Sequence, residues 1–146
     1  MTRKNWLLLA VAGHDRTVAA PIDPMRLMKT LFVFREQLGT YLEAPDFYAF
    51  EPYRFGPFAR EIYPDLDQLE YEGLIEPVAN PGRTWPRYRL TVQGAEAAAA
   101  LESDAGWMGN HLFDVRDWAM SMSFRDLLYS VYKQWPDYAT NSIARV

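Results

Sequence analysis

Three sets of side chains in this 146-residue sequence have types and spacings that could do chemistry. The first is acidic. Glu61, Asp65, Asp67, Glu70 and Glu72 crowd one short stretch, and two such carboxylates could share a magnesium ion through oxygen ligation. No phosphate-binding motif accompanies them, so they read as the solvated face of an acidic helix. As a docking face for a basic partner, its candidate contacts are Asp65, Asp67, Glu70 and Glu72. The second set is basic: Arg26 with Lys29, Arg54 with Arg60, and Arg83, Arg87 and Arg89. Cationic groups grouped in this way suit neutralisation of nucleic-acid phosphates. The third set is His14 and His111, which have no ligating partner at short spacing and read as structural or exposed. There is no cysteine, which excludes disulfides and cysteine-ligated zinc. No Gly-x-Ser-x-Gly, His-Glu-x-x-His, Walker loop or dinucleotide fingerprint occurs. The expectation is a non-enzymatic protein with no catalytic residue, metal site or cofactor.

Composition agrees with one globular unit: 49% of the residues are apolar, 23% are charged, and the net charge is −4. The longest apolar run, Trp6 to Ala12, is far short of the ~20 residues a membrane-spanning helix needs. It is also too short for a secretory leader, and the absence of cysteine suits a reducing, cytoplasmic setting. Charge is unevenly divided along the chain. Residues 1–35 carry net +4, residues 36–77 net −8, residues 78–95 net +3 and the remainder net −3.

The elements that must position these groups follow from local signals. Trp6 to Val11 forms an apolar helix ending at Gly13, and Asp23-Pro24 opens a second that stops near Gly39. The stretch from Phe47 to Phe58 is rich in aromatics and prolines and fits neither a helical nor a strand period, so it reads as a packed, bent connector. Within it Tyr48, Phe50, Tyr53, Phe55 and Phe58 could form a stacking platform, but such sets more often pack as core. Phe58, Ile62, Leu66 and Leu69 share one helical face that ends at Gly73, with Pro64 expected to kink or split the helix. Two β-like runs flank the turn Asn80-Pro81-Gly82 and form a hairpin. Thr91 caps a following alanine-rich helix, which breaks near Gly106. Met108, Leu112, Val115, Ala119 and Met122 then recur at intervals of four and three, a coiled-coil-like seam suited to a homodimer interface, with Phe113 and Trp118 off it. Ser123 opens the last helix, and Pro136 ends it.

This order of elements is that of an α+β, mostly helical winged helix-turn-helix with a two-stranded wing and extra C-terminal helices. It divides into residues 1–106, the winged-helix part, and residues 107–146, a helical extension that packs on it or forms a dimer interface. Phe55-Gly56-Pro57-Phe58, Leu66-Asp67-Gln68-Leu69 with Gly73-Leu74-Ile75, and Tyr88-Arg89-Leu90-Thr91 with Gly94 resemble phrases of the prokaryotic winged-helix families. Met28-Lys29-Thr30-Leu31-Phe32 and Tyr53-Arg54-Phe55-Gly56-Pro57 resemble, in part, motifs of the Panacea/SocA-like domain of antitoxins and proteolytic adaptors. The first resemblance implies a dimeric regulator that binds double-stranded DNA. Arg83, Arg87 and Arg89 would hold phosphates from the wing, Arg26 and Lys29 would anchor the neighbouring backbone, and Arg54 and Arg60 would come nearest the bases. The second implies a protein-interaction module in which the acidic helix is the docking face. That helix region, Phe58 to Gly73, carries net −4 and would be repelled along its length by phosphates.

Overall fold

The seven apolar residues from Trp6 to Ala12 are all buried, and the helix they belong to, α1 (Arg3–Ala12), lies at the heart of the computed structural model. The structure describes residues 1–15, 20–42, 46–144 and 146. Thr2 and Asn5 close the start of α1 with a reciprocal capping box, and Gly13 ends it in the left-handed region at φ +69°. Helix α2 (Pro24–Leu38) begins as its sequence dictates. The Asp23 carboxylate accepts from the Arg26 backbone N–H at 2.8 Å, and Pro24 occupies a position where no N–H is needed. Then follow β1 (Glu51–Tyr53), β2 (Gly56–Phe58), α3 (Ile62–Tyr71), β3 (Ile75–Val78), β4 (Arg87–Leu90), α4 (Val92–Met120) and α5 (Phe124–Gln134). The described residues thus form a mostly helical α+β fold with five α-helices and two separate two-stranded antiparallel sheets.

The second sheet pairs Ile75 with Leu90 and Val78 with Arg87. On the other side of β4, Ile22 and Tyr88 exchange backbone hydrogen bonds of 2.9 and 2.8 Å, so the segment entering α2 lies along the hairpin like a minimal third strand. The first sheet departs from expectation. Part of the aromatic connector is a tight hairpin, with Glu51 opposite Phe58 and Tyr53 opposite Gly56. Consequently α3 starts at Ile62 rather than at Phe58. Pro64 then falls in its first turn, where a missing N–H and a fixed φ cost nothing, so the helix is not split.

Helix α4 is long but not continuous: Gly106 adopts φ +57° and ψ −140° and separates two helical halves across a kink. Its first half starts on the Thr91 hydroxyl, which accepts from the Gly94 N–H at 3.0 Å. At Gly94 the helix lies directly against the backbone carbonyl of Leu74, with no room for a Cβ.

Two apolar clusters result. One surrounds α1 and takes Leu27, Met28, Leu31 and Phe34 from α2, Ile62, Leu66 and Leu69 from α3, and Leu112 and Phe113 from α4. The other lies on the opposite side of α2, where Phe32 and Val33 meet Val115, Ala119, Leu127 and Val131. This settles where the heptad-like seam goes. Leu112, Val115 and Ala119 are buried within the chain's own core, and Met108 and Met122 are half-buried against the same two clusters. Phe113, placed off the seam by its spacing, is buried as well. The seam is therefore not a surface offered to a second copy; its apolar period serves intrachain packing.

Two arginines hold helix ends inside this core. Arg116 on α4 is buried and donates to the carbonyls of Ala10 (2.6 Å), Val11 (3.2 Å) and Ala20 (2.6 Å). Arg26 on α2 donates to Ala119 (2.6 Å) and Met122 (3.0 Å) at the end of α4. Neither α1 nor α4 has a basic residue in its own last turn, so each helix end is closed by a cation from a different helix.

Two substitutions test this packing. Arg116→Met leaves buried carbonyls without donors and is expected to cost about 3 kcal/mol in chemical denaturation. Gly94→Ala drives a methyl into the Leu74 carbonyl and is expected to cost a similar amount, about 3 kcal/mol. Native-like midpoints for either variant would contradict the assigned contacts.

Candidate functional site

The Asn80-Pro81-Gly82 turn carries the tip of the β3–β4 hairpin toward the start of α2. There it meets the β1–β2 turn, the first turn of α3 and the junction of α4 with α5. Between them lies a cleft of about 640 Å3. Its walls combine three exposed aromatic side chains from three elements, Phe55, Tyr63 and Trp85, and the half-buried Phe124 of α5 with the guanidinium groups of Arg26, Arg83 and Arg87. Each of the three exposed aromatics is open by about two fifths of its surface. The Arg83 guanidinium lies 5.4 Å from the Trp85 ring centre, a cation–π arrangement at the rim. Arg87 donates twice to the Ala79 carbonyl, at 3.2 and 2.7 Å, which fixes its direction without neutralising it. Among the described residues neither Arg83 nor Arg87 has a carboxylate partner. The one acid in the walls, Asp23, is engaged by the N–H of Arg26 and lies 3.8 Å from its guanidinium.

Of the seven basic residues singled out by spacing, the structure brings Arg26, Arg83 and Arg87 to this cleft and scatters the rest. Arg54 is exposed with its guanidinium 5.8 Å from the Tyr53 ring, and Arg60 is exposed before α3. Arg89 is not among the residues that line the cleft and pairs with Glu76 at 2.7 Å across the hairpin. Lys29 requires a correction. It is 0% exposed, its Nζ lies 3.3 Å from the Pro57 carbonyl and 5.6 Å from the Phe124 ring centre, and no phosphate can reach it. Burial pushes its pKa down to about 7, with Asp23 pulling weakly the other way. Arg26 is also less free than its position suggested, because its guanidinium closes the end of α4.

The acidic set divides in the same way. Asp67, Glu70 and Glu72 are exposed on α3, where Gln68 donates to Glu72 at 2.9 Å. Asp65 is only 7% exposed and faces inward, accepting from Arg3 Nε at 2.9 Å and from the Tyr48 hydroxyl at 2.6 Å. It ties α1, α3 and the segment before β1 together and is not part of a docking face. Burial, reinforced by Asp65, holds the Tyr48 phenol well above its usual range. Tyr48 itself is buried and Phe50 and Phe58 are half-buried, so most of the aromatic connector is core.

The sequence singled out none of the cleft aromatics Tyr63, Trp85 and Phe124 as site residues. For Trp85 the signal was present: a large aromatic two residues from an arginine, in a turn of prolines and polar residues, has little core to enter. His14 also has a partner that spacing could not show. Its Nε2 lies 2.8 Å from Asp114 and 3.5 Å from Asp117, in the one group of described residues whose ligand atoms could converge on a metal ion. All three are exposed, and His14 is already bonded to Asp114. His111 bonds Gln37 at 2.8 Å.

No protein-family model matches the chain, and no curated protein matches it in sequence.

The buried lysine has a measurable signature. Between about pH 7 and the ordinary lysine range the unfolded chain holds a proton that native Lys29 does not, so stability rises with pH across that window. Below about pH 7 both states are protonated, and this contribution is flat. The slope from this one group approaches about 1.4 kcal/mol per pH unit. Lys29→Met is expected to remove that slope in urea titrations between pH 7 and 9 and to raise stability at pH 6. An unchanged pH dependence in the variant would refute the assignment.

Proposed function

We propose that this protein is a non-enzymatic protein-interaction module on a winged-helix frame, which presents the outer face of α3 to a basic partner. The frame is supported by the order α1, α2, α3, β3, β4, interrupted between α2 and α3 by the β1–β2 hairpin, and by the bridge from Ile22 to Tyr88, which adds a third strand where a winged helix has one. In that frame α3 takes the place of the recognition helix. The observation that carries the function is the charge of its solvent side: Asp67 and Glu70 on the helix and Glu61 and Glu72 at its two caps are exposed, against a single exposed cation, Arg60, before its start. Tyr71, 88% exposed on the same helix, adds an apolar contact of the kind that anchors protein interfaces.

DNA recognition, the other function such a frame performs, has less support. A helix of this charge in a groove walled by phosphates is repelled. Lys29 is buried, Arg26 closes a helix end and Arg89 is ion-paired, so the basic set available to a duplex shrinks to Arg54, Arg60, Arg83 and Arg87.

Titration of the protein against labelled random-sequence duplex at low and moderate salt separates the two functions. The expected result is no salt-sensitive binding. Steeply salt-dependent binding that is lost when Arg83, Arg87 and Arg89 are replaced by alanine would overturn the proposal in favour of a DNA-binding regulator. Conversely, reversing charge with Asp67→Lys, Glu70→Lys and Glu72→Lys is expected to abolish capture of basic partners while leaving the thermal unfolding curve in place, since all three side chains are exposed.

A further inference from the structure

The cleft is opposite in sign to the α3 face, and its chemistry identifies a different ligand. Three large aromatic surfaces, Phe55, Tyr63 and Trp85, stay partly open to solvent on three separate elements and face one shared space. Apolar surface gathered in this way on an otherwise well-packed chain marks a contact site. Beside it stand two guanidinium groups, of Arg83 and Arg87, with no carboxylate partner among the described residues. Arg87 is half-buried and its Nε and Nη2 donate to the Ala79 carbonyl, which fixes the guanidinium and leaves its Nη1 edge as a charge held in one direction rather than a mobile one. Asp23 is engaged by Arg26, leaving the walls with a net positive charge.

We infer that the cleft binds a short acidic peptide segment of another protein, in which a bulky apolar side chain sits beside one or more carboxylates. The apolar side chain inserts among Phe55, Tyr63 and Trp85, and the carboxylates pair with Arg83 and Arg87. Bidentate guanidinium–carboxylate pairing beside an aromatic wall gives both orientation and affinity. Tryptophan, tyrosine and arginine are also the residue types that dominate energetics where one protein grips another. A phosphate backbone would use the arginines but leave the three aromatic faces without apolar contacts, which is why a peptide is favoured over a duplex. This surface is separate from the one assigned to the basic partner, and the two can fail independently.

Selection of a displayed random-peptide library on the full chain, with parallel selection on Arg83→Glu/Arg87→Glu, tests the inference directly. The expected outcome is enrichment of sequences that place Asp or Glu next to Phe, Trp, Leu or Met, with no such enrichment on the double variant. Synthetic versions of the enriched peptides, read by fluorescence anisotropy, should lose at least about tenfold in affinity on Trp85→Ala or on the double variant. Arg89→Glu, outside the cleft, should leave affinity unchanged, as should the three reversals on α3. Three outcomes would each overturn the inference: no enrichment over the double variant, enrichment of basic sequences, or displacement of the peptide by phenylacetate at equal affinity. The last would indicate a small-molecule pocket. Arg83 and Trp85 are exposed at the hairpin tip and Arg87 is half-buried with its bonds confined to the hairpin, so the variants are expected to fold, and an unchanged far-ultraviolet spectrum and thermal midpoint check this.

Discussion

Helix α1 has no wet side over its apolar run, and the carbonyls of its last turn would lie stranded in apolar surroundings unless a donor arrived from elsewhere in the chain. Arg116 brings that donor from α4, more than a hundred positions away in sequence, and reaches across to Ala20 as well. Much else is arranged to let it do so. The Cβ that Gly13 lacks would press within 3.3 Å of the same guanidinium. The bend at Gly106 re-aims the second half of α4, the half that bears Arg116. That half must in turn be closed at its own end, which is what Arg26 does from α2. The three helices are thus linked by directional contacts laid over non-directional apolar packing, and the hydrogen bonds select one register among the many that burial alone would permit.

Elements whose signals are local were legible from the residues. Asp23-Pro24, Thr91, Ser123 and the turn at Asn80-Pro81-Gly82 fix helix starts and a hairpin through chemistry confined to a few neighbouring positions. The break at Gly106 was legible for the same reason. The β1–β2 hairpin was not, because Glu51-Pro52-Tyr53 and Gly56-Pro57-Phe58 are too short to show a period of two, and each contains a proline. The seam from Met108 to Met122 showed the right period but not its partner. A heptad repeat records that a face is buried, and α2 of the same chain covers it as well as a second copy could. Charge was the least legible property. Lys29, Asp65 and Arg116 are charged residues in the interior, and nothing in their immediate sequence distinguishes them from Arg83 or Asp67 on the surface. The candidate site inherits that ambiguity: its arginines were identifiable by type, whereas the aromatics facing them are assembled from α3, the β1–β2 turn and the hairpin tip by folding alone.

The molecule consequently separates its charge more cleanly in space than in sequence. Acidic groups that might have diluted the hairpin's positive potential are held at α3, drawn inward as Asp65 is by Arg3 and Tyr48, or paired on the hairpin as Glu76 is with Arg89. Among the basic residues, Arg26, Lys29 and Arg116 bond carbonyls of other elements within the fold and Arg89 pairs with Glu76, whereas Arg83 and the carbonyl-tethered Arg87 line the cleft without a carboxylate partner among the described residues. A surface divided in this way is what the two proposed ligands, one basic and one acidic, would require.

Helix α2 carries apolar side chains on two opposite sides, Leu27, Leu31 and Phe34 toward one cluster and Phe32 and Val33 toward the other. It is a party wall rather than a facade. A helix of this kind has no outward stripe to mutate toward polarity, so drift in its sequence is constrained on both sides at once. Shortened versions of the chain that lack α5 and the turn at Pro136–Ala139 would bare the ring of Phe32, now edge-on to Trp135 and Tyr138. Such a fragment would be sticky before it was unfolded. The last two elements therefore roof the outer apolar side of α2.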